Sequence, residues 1–200
     1  MADTANTGLD SDTVLLHRNV KMQNEVLEFW FNEVGKPQWF VKDLNVDEEI
    51  SQRFGRLVKQ AGAGECYSWR STAEGRLAEI IVLDQFSRNL YRDTPAAFAH
   101  DPMALVLAQE AVSAGILDDL HSQVELQFLL MPFMHSESKL VHQYAEPLFT
   151  KYVDDDVNRY EVMHKTIVDR FGRYPHRNDI LGRESTAEEL AFLKEPNSSF

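Results

Sequence analysis

The sequence predicts an all-α fold, a compact stack of about eight mostly antiparallel helices, and three observations support this class. Apolar residues recur at helical spacing, as in residues 24–34, where Trp30, Phe31 and Val34 would share one face. Glycine and proline interrupt these segments at short intervals, as they do where helices end. No window alternates polar and apolar residues with the period of two that a strand requires.

Capping signals place the helices along the chain. Asn45 is a predicted N-cap followed by acids, and Asp101 is a predicted N-cap followed by proline at the first helical position. The predicted helices lie within residues 24–34, 45–64, 72–91, 101–115, 121–135, 136–153, 156–172 and 187–194. Residues 1–12 are small and polar, so we expect a disordered N-terminal arm before a single helical domain of residues 13–200.

Composition argues against several classes of partner and location. A formal net charge of -12 disfavours nucleic acid, which requires clustered Lys and Arg. The N-terminus lacks the features of a signal peptide, and no apolar stretch approaches the roughly 20 residues of a membrane helix. Cys66 is the one cysteine, so an internal disulfide is excluded and a reducing compartment is indicated. We therefore predict a cytoplasmic protein that binds neither nucleic acid nor membrane.

Motifs for metals and cofactors are incomplete in this sequence. The stretch GAGECY lacks the third glycine and the preceding strand of a dinucleotide-binding fold. His135-x-Glu137 matches part of a zinc deaminase signature, but the required P-C-x-x-C is missing. Neither a P-loop nor an H-E-x-x-H sequence occurs. No metal and no cofactor is predicted.

The first of three polar segments lies within residues 77–91 of the helix predicted at residues 72–91. This stretch is apolar on nearly all sides, so the helix should be central and enclosed, yet it contains Asp84, Arg88 and Asn89. Asp84 and Arg88 are four residues apart, the spacing of a salt bridge within a helix. The pair is interpreted either as a buried structural ion pair that links helices or as part of a functional site.

The second polar segment follows an apolar run and contains His135 and Glu137. In the simpler interpretation Pro132 ends one helix, Ser136 caps the next, and His135 interacts favourably with a helix C-terminus. In the alternative, His135 and Glu137 face a pocket as acid–base groups.

The third segment is a basic region in an acidic chain. Residues 164–183 contain five Lys or Arg and two Asp, a formal charge of +3, which leaves -15 for the remainder of the chain. Such a region can pair with acidic residues of the same protein, among them Asp84 and Glu137, or it can receive an anion.

Taken together, these motifs resemble a mainly bacterial family known as domain of unknown function 924. The resemblance extends from about Val26 to Leu193 and rests on EFWF (28–31), LDQFSRNLYRDTPAAFAHD (83–101), MPFMHSES (131–138), FGRYPHRN (171–178) and LGRESTAEELAFL (181–193). Members usually have proline at the position of Ser87 and often phenylalanine at that of Tyr174. The resemblance implies an all-helical, tetratricopeptide-like fold and no established reaction.

In such a stack, the three polar segments could meet on one concave surface. One hypothesis is a binding module for a small anionic molecule or a peptide carboxylate. The other is a hydrolase-like enzyme that uses a carboxylate and a histidine as an acid–base pair, and a polar core without ligand is the third interpretation. The predicted ligand-binding residues are Arg88, Asn89, His164, Arg173, His176, Arg177 and Asn178, and the catalytic residues of the enzyme hypothesis are Asp84, His135 and Glu137.

Overall fold

The computed structural model describes the backbone of residues 11–199 and the side chains of residues 19–199. Within this range the chain forms helices and no strand, so the predicted all-α class is confirmed. The helices are α1 (Ser11–Glu28), α2 (Leu44–Gly62), α3 (Ala73–Ile81), α4 (Ser87–Leu90), α5 (Asp101–Ser113), α6 (Gln123–Met134), α7 (Lys139–Tyr152), α8 (Asp155–Phe171) and α9 (Ala187–Phe192). Of the predicted disordered arm, residues 1–10 lie outside the described residues.

The helix that contains α3 and α4 is the centre of the molecule. A π-helical turn, Val82–Phe86, joins the two segments, and a second π turn, Phe29–Val34, extends α1. Residues 77–87 are all buried, and α1, α2, α5 and α6 pack around this helix. Phe86 packs against Phe29 and Phe54, with ring centres 5.9 and 5.0 Å apart. The prediction of an enclosed helix with a buried Phe86 is therefore confirmed.

Helices α6, α7 and α8 follow one another through short loops, and each packs against the next. After α8 the chain passes through a short 3-10 helix, Pro175–Arg177, and returns to α9. Tyr174 and Phe192 pack against Ile167 and Val168 of α8 in a small second core. This packing holds the basic region against the body of the protein. No helix in the described part of the chain is long and apolar enough to cross a membrane.

Several predicted helix boundaries were wrong, although the helices themselves exist. Asp43, and not Asn45, caps α2, because its side chain accepts a hydrogen bond from the Asn45 amide. Pro132 lies inside α6, which continues for two further residues. Ser138, and not Ser136, caps α7 through the amide of Val141. At both N-termini a nearby residue, and not the predicted one, satisfies a terminal amide.

Candidate functional site

Five side chains from four separate regions of the sequence form a continuous line of hydrogen bonds and ion pairs. We refer to them as the charge row: His135, Asp84, Arg88, Asp101 and Arg177. Arg88 lies 3.0 Å from Asp84 and donates two hydrogen bonds of 2.9 and 3.0 Å to Asp101. Arg177 Nη1 continues the row with a contact of 3.3 Å to Asp101 Oδ2, the oxygen that also accepts from Arg88 Nη2. Asp84 and Arg88 thus form the predicted salt bridge within a larger cluster.

The Asp84 carboxylate is the most deeply buried member of the charge row, with 1% of its side chain exposed. It lies in the π turn, an irregularity that occurs often at functional sites. Burial alone would raise the pKa of Asp84, but Arg88 and His135 lower it below its ordinary value. Since the carboxylate is ionised, it accepts the hydrogen bond from His135 Nδ1 at 2.8 Å.

His135 forms one end of the charge row, at the C-terminal end of α6. Its side chain retains 12% exposure. Burial and the neighbouring charge of Arg88 lower the pKa of His135, and Asp84 opposes this change. The imidazole is therefore neutral near pH 7, with its proton on Nδ1 and its Nε2 free of a proton.

Arg177 forms the other end, and its guanidinium lies close to two aromatic rings. Its Cζ atom is 4.6 Å from the ring centre of Phe98 and 4.7 Å from that of Tyr174. Only 8% of the side chain is exposed, and burial together with Arg88 lowers its pKa. The contact with Asp101 is the one hydrogen bond of the Arg177 side chain within the described residues, and its buried Nε has no partner there.

Tyr174 connects the charge row to a second buried network. Its hydroxyl donates to the carbonyl of Met134, and His142 Nε2 lies 3.1 Å from it. His142 Nε2 also lies 2.9 Å from the Ser136 carbonyl, and Nδ1 lies 2.6 Å from Glu161. Because a carbonyl can only accept, Nε2 carries a proton and donates. Burial raises the pKa of Glu161, against the effect of His142.

Other predicted site residues have partners outside the charge row. Asn89 donates a hydrogen bond of 2.8 Å to Asp47. Arg173 donates two hydrogen bonds, from Nε and Nη2, to the carboxylate of Glu189. Glu137 receives two hydrogen bonds from Arg183 and one from the backbone amide of Tyr174. Glu137 therefore holds the basic region in place instead of joining Asp84.

The remaining predicted residues, His164, His176 and Asn178, line the inner side of the basic region. His164 and His176 face the Tyr174 ring, each at 5.6 Å between ring centres. Burial lowers the pKa of His164 to about 3 and that of His176 to about 4, so both are neutral. Asn178 hydrogen bonds with Ser185 and Arg183 and shapes the loop.

Sequence reasoning missed three residues at the centre of this arrangement: Asp101, Phe98 and Tyr174. Asp101 was interpreted as a helix cap because proline follows it. In the structure it is the first residue of α5, His100 precedes the helix, and the Asp101 side chain turns to the two arginines. Phe98 and Tyr174 lie within two of the motifs on which the family resemblance rests, residues 83–101 and 171–178. Those motifs could have identified both residues as candidates.

The charge row is distinct from two open depressions on the surface. One, of about 370 Å³, includes Glu28 and Arg53, and the other, of about 430 Å³, includes Arg183 and Glu184. No member of the row lines either depression. In the described part of the chain, no group of three or more His, Cys, Asp or Glu is arranged to hold a metal ion.

Comparison with known proteins agrees with the fold and the motifs. A solved structure of a protein of unknown function from Agrobacterium tumefaciens is 34% identical to this chain, with a TM-score of 0.83. The match covers 88% of this chain and 98% of that one. No match was found among curated proteins. A family model matches residues 26–197, and the chain therefore belongs to that family, described as bacterial protein of unknown function (DUF924).

Proposed function

We propose that the protein binds a small anionic molecule, or the carboxylate of a peptide, at the Arg177 end of the charge row. The supporting observation is the buried Nε of Arg177, which has no hydrogen-bond partner among the described residues. A buried donor without a partner costs about 1–3 kcal/mol, more if it is charged. An oxyanion that accepts from this nitrogen would recover that free energy on binding.

The surroundings of Arg177 favour such a ligand over a merely structural role. The other basic residues of the region pair with acids of the same chain: Lys165 with Asp169, Arg170 with Glu188, Arg173 with Glu189, and Arg183 with Glu137. Arg177 shares Asp101 with Arg88, and the geometry favours Arg88, which has two short hydrogen bonds. Arg177 is thus the member of the basic region whose donors are least satisfied.

The test is a thermal-shift titration of wild type with acetate, phosphate and sulfate at constant ionic strength. We expect at least one anion to raise the melting temperature of wild type and of the control Arg173→Gln, which removes an arginine paired with Glu189. The same anion should not stabilise Arg177→Gln, where each shift is measured from the variant's own ligand-free value. If Arg177→Gln does not fold, Arg177→Lys, which retains the positive charge, takes its place in this comparison. An equal shift in Arg177→Gln and wild type would contradict the proposal.

A second candidate is acid–base chemistry, and the Asp84–His135 contact favours it. A buried carboxylate that orients Nδ1 leaves Nε2 as the nitrogen that can take a proton from a bound molecule. Hydrolysis of p-nitrophenyl acetate, followed by absorbance, tests this candidate in wild type and His135→Gln. We expect at least a tenfold loss of rate in the variant with an unchanged anion-induced thermal shift. Equal rates in the two proteins would refute it.

A further inference from the structure

The side edge of an arginine, formed by Nε and Nη2, recurs in this protein as a carboxylate-binding edge. Arg70 uses it to hold Glu79 at 2.7 and 2.7 Å, and Arg92 uses it to hold Asp47 at 2.6 and 2.9 Å. Arg173 holds Glu189 in the same way at 2.6 and 2.8 Å. In each case two parallel hydrogen bonds join a planar guanidinium to a planar carboxylate.

The same edge of Arg177 has no partner among the described residues, while the rest of its guanidinium is occupied. Nη1 contacts Asp101, and Cζ lies 4.6 Å from the ring centre of Phe98 and 4.7 Å from that of Tyr174. Nε is buried and without a partner, although the side chain as a whole retains 8% exposure. The edge formed by Nε and Nη2 is therefore the part of this guanidinium that is left to donate hydrogen bonds to a ligand.

The formal charge of the row limits the charge of that ligand. Arg88 and Arg177 are balanced by Asp84 and Asp101, and the nearby Glu137 is balanced by Arg183, so the region is formally neutral before a ligand binds. A monovalent anion would leave one excess negative charge in this buried region. A divalent anion would leave two excess negative charges, and its unfavourable interaction with Asp101 would double.

We infer that the ligand is a monovalent carboxylate, bound side-on to Nε and Nη2 of Arg177, and that phosphate and sulfate are disfavoured. This inference rests on the proposed function and adds the chemical class of the ligand. The two sources of a carboxylate, a small organic acid and the C-terminus of a peptide, share this chemistry and are separated by the experiment.

The experiment compares dissociation constants by calorimetric titration at pH 7.5 and constant ionic strength. The ligands are acetate, benzoate, phosphate, sulfate, and one short peptide with either a free or an amidated C-terminus. We expect a carboxylate to bind at least tenfold more tightly than phosphate or sulfate. If a peptide is the source, the free C-terminus should bind and the amidated one should not; if a small acid is the source, acetate or benzoate should bind more tightly than either peptide.

Two variants test the geometry and the charge separately. Arg177→Lys keeps the charge but not the two parallel donors, so carboxylate affinity should fall at least tenfold, whereas Arg173→Lys should leave it unchanged. Asp101→Asn removes one negative charge beside the site, so phosphate should gain more affinity than acetate.

Tighter binding of phosphate than of carboxylates to wild type through Arg177 would overturn the inferred class of ligand but not the proposed function. Equal carboxylate affinity in Arg177→Lys would overturn side-on binding. Failure of every anion to bind through Arg177 would overturn the proposed function itself.

Discussion

Asp84 and His135 are joined by a hydrogen bond of 2.8 Å between Oδ1 and Nδ1, although they lie 51 residues apart in the sequence. The carboxylate is fully enclosed by apolar helices and is ionised there because Arg88 and His135 both contact it. The charge row is therefore part of the stability of the protein as well as a candidate site.

Replacement of Asp84 by alanine should destabilise the protein. The change removes the carboxylate that contacts both Arg88 and His135, and loss of one partner of a buried ion pair costs roughly 3–5 kcal/mol. Because Arg88 keeps Asp101, we expect the lower end of this range, about 3 kcal/mol. Urea denaturation measures the difference, and Asp119→Ala, at an exposed position, should stay within about 0.5 kcal/mol of wild type. An unchanged midpoint for Asp84→Ala would show that the pair does not stabilise the fold.

Stability should decrease as the pH falls below neutral, because buried histidines have lowered pKa values. Burial lowers the pKa of His164 to about 3 and that of His176 to about 4, and it also lowers that of His135, from an ordinary value of 6.5. Below pH 6.5 the unfolded chain therefore binds protons that the folded protein does not, and the folded state is disfavoured. Glu161, whose pKa is raised, contributes with the opposite sign.

We expect the free energy of unfolding to fall by at least about 2 kcal/mol between pH 7 and pH 5, since each titrating group contributes roughly 1.4 kcal/mol per pH unit below its unfolded pKa. Denaturation at pH 7, 6 and 5 measures this slope. His164→Gln should make the slope shallower, whereas His121→Gln, at an exposed position, should leave it unchanged. If the free energy of unfolding is constant from pH 7 to pH 5, the lowered pKa values of the buried histidines are disproved.

Tyr174→Phe should retain anion binding and lose a modest amount of stability. The ring that covers Arg177 remains, but the Met134 carbonyl loses its hydroxyl partner, at a cost of about 1–2 kcal/mol. Tyr174→Leu removes the ring as well and should weaken the anion-induced thermal shift. Loss of anion binding in Tyr174→Phe would instead indicate that the Tyr174 hydroxyl contacts the ligand directly.

Phe98→Leu should weaken anion binding without unfolding the protein. Its ring lies over Arg177 and, at 5.6 Å, over Arg88, and a partly buried cation–π contact contributes about 1 kcal/mol to the orientation of the guanidinium. We expect roughly a three- to tenfold loss of affinity by calorimetry. Phe171→Leu is the matched control, because that ring lies 4.6 Å from Arg170, which is not part of the charge row. Equal losses in the two variants would indicate a general effect on stability.

Sequence alone was sufficient for the features that depend on local spacing. Helical periodicity predicted the all-α fold and the enclosed helix, because burial repeats with the turn of the helix. The interval of four residues predicted the Asp84–Arg88 salt bridge, and local composition identified the basic region. The exact cap residues were less predictable, because several neighbouring polar side chains can satisfy the same terminal amides.

Tertiary structure decided which partners these residues have. Glu137 pairs with Arg183, 46 residues away, and Arg177 with Asp101, 76 residues away. No local pattern distinguishes these partners from the other acids and arginines of the chain, because the choice depends on which side chains the packed helices bring within hydrogen-bond distance. The unpaired edge of Arg177 is decided in the same way: Arg70, Arg92, Arg173 and Arg177 are alike in sequence, and only the fold supplies the first three with a carboxylate at that edge.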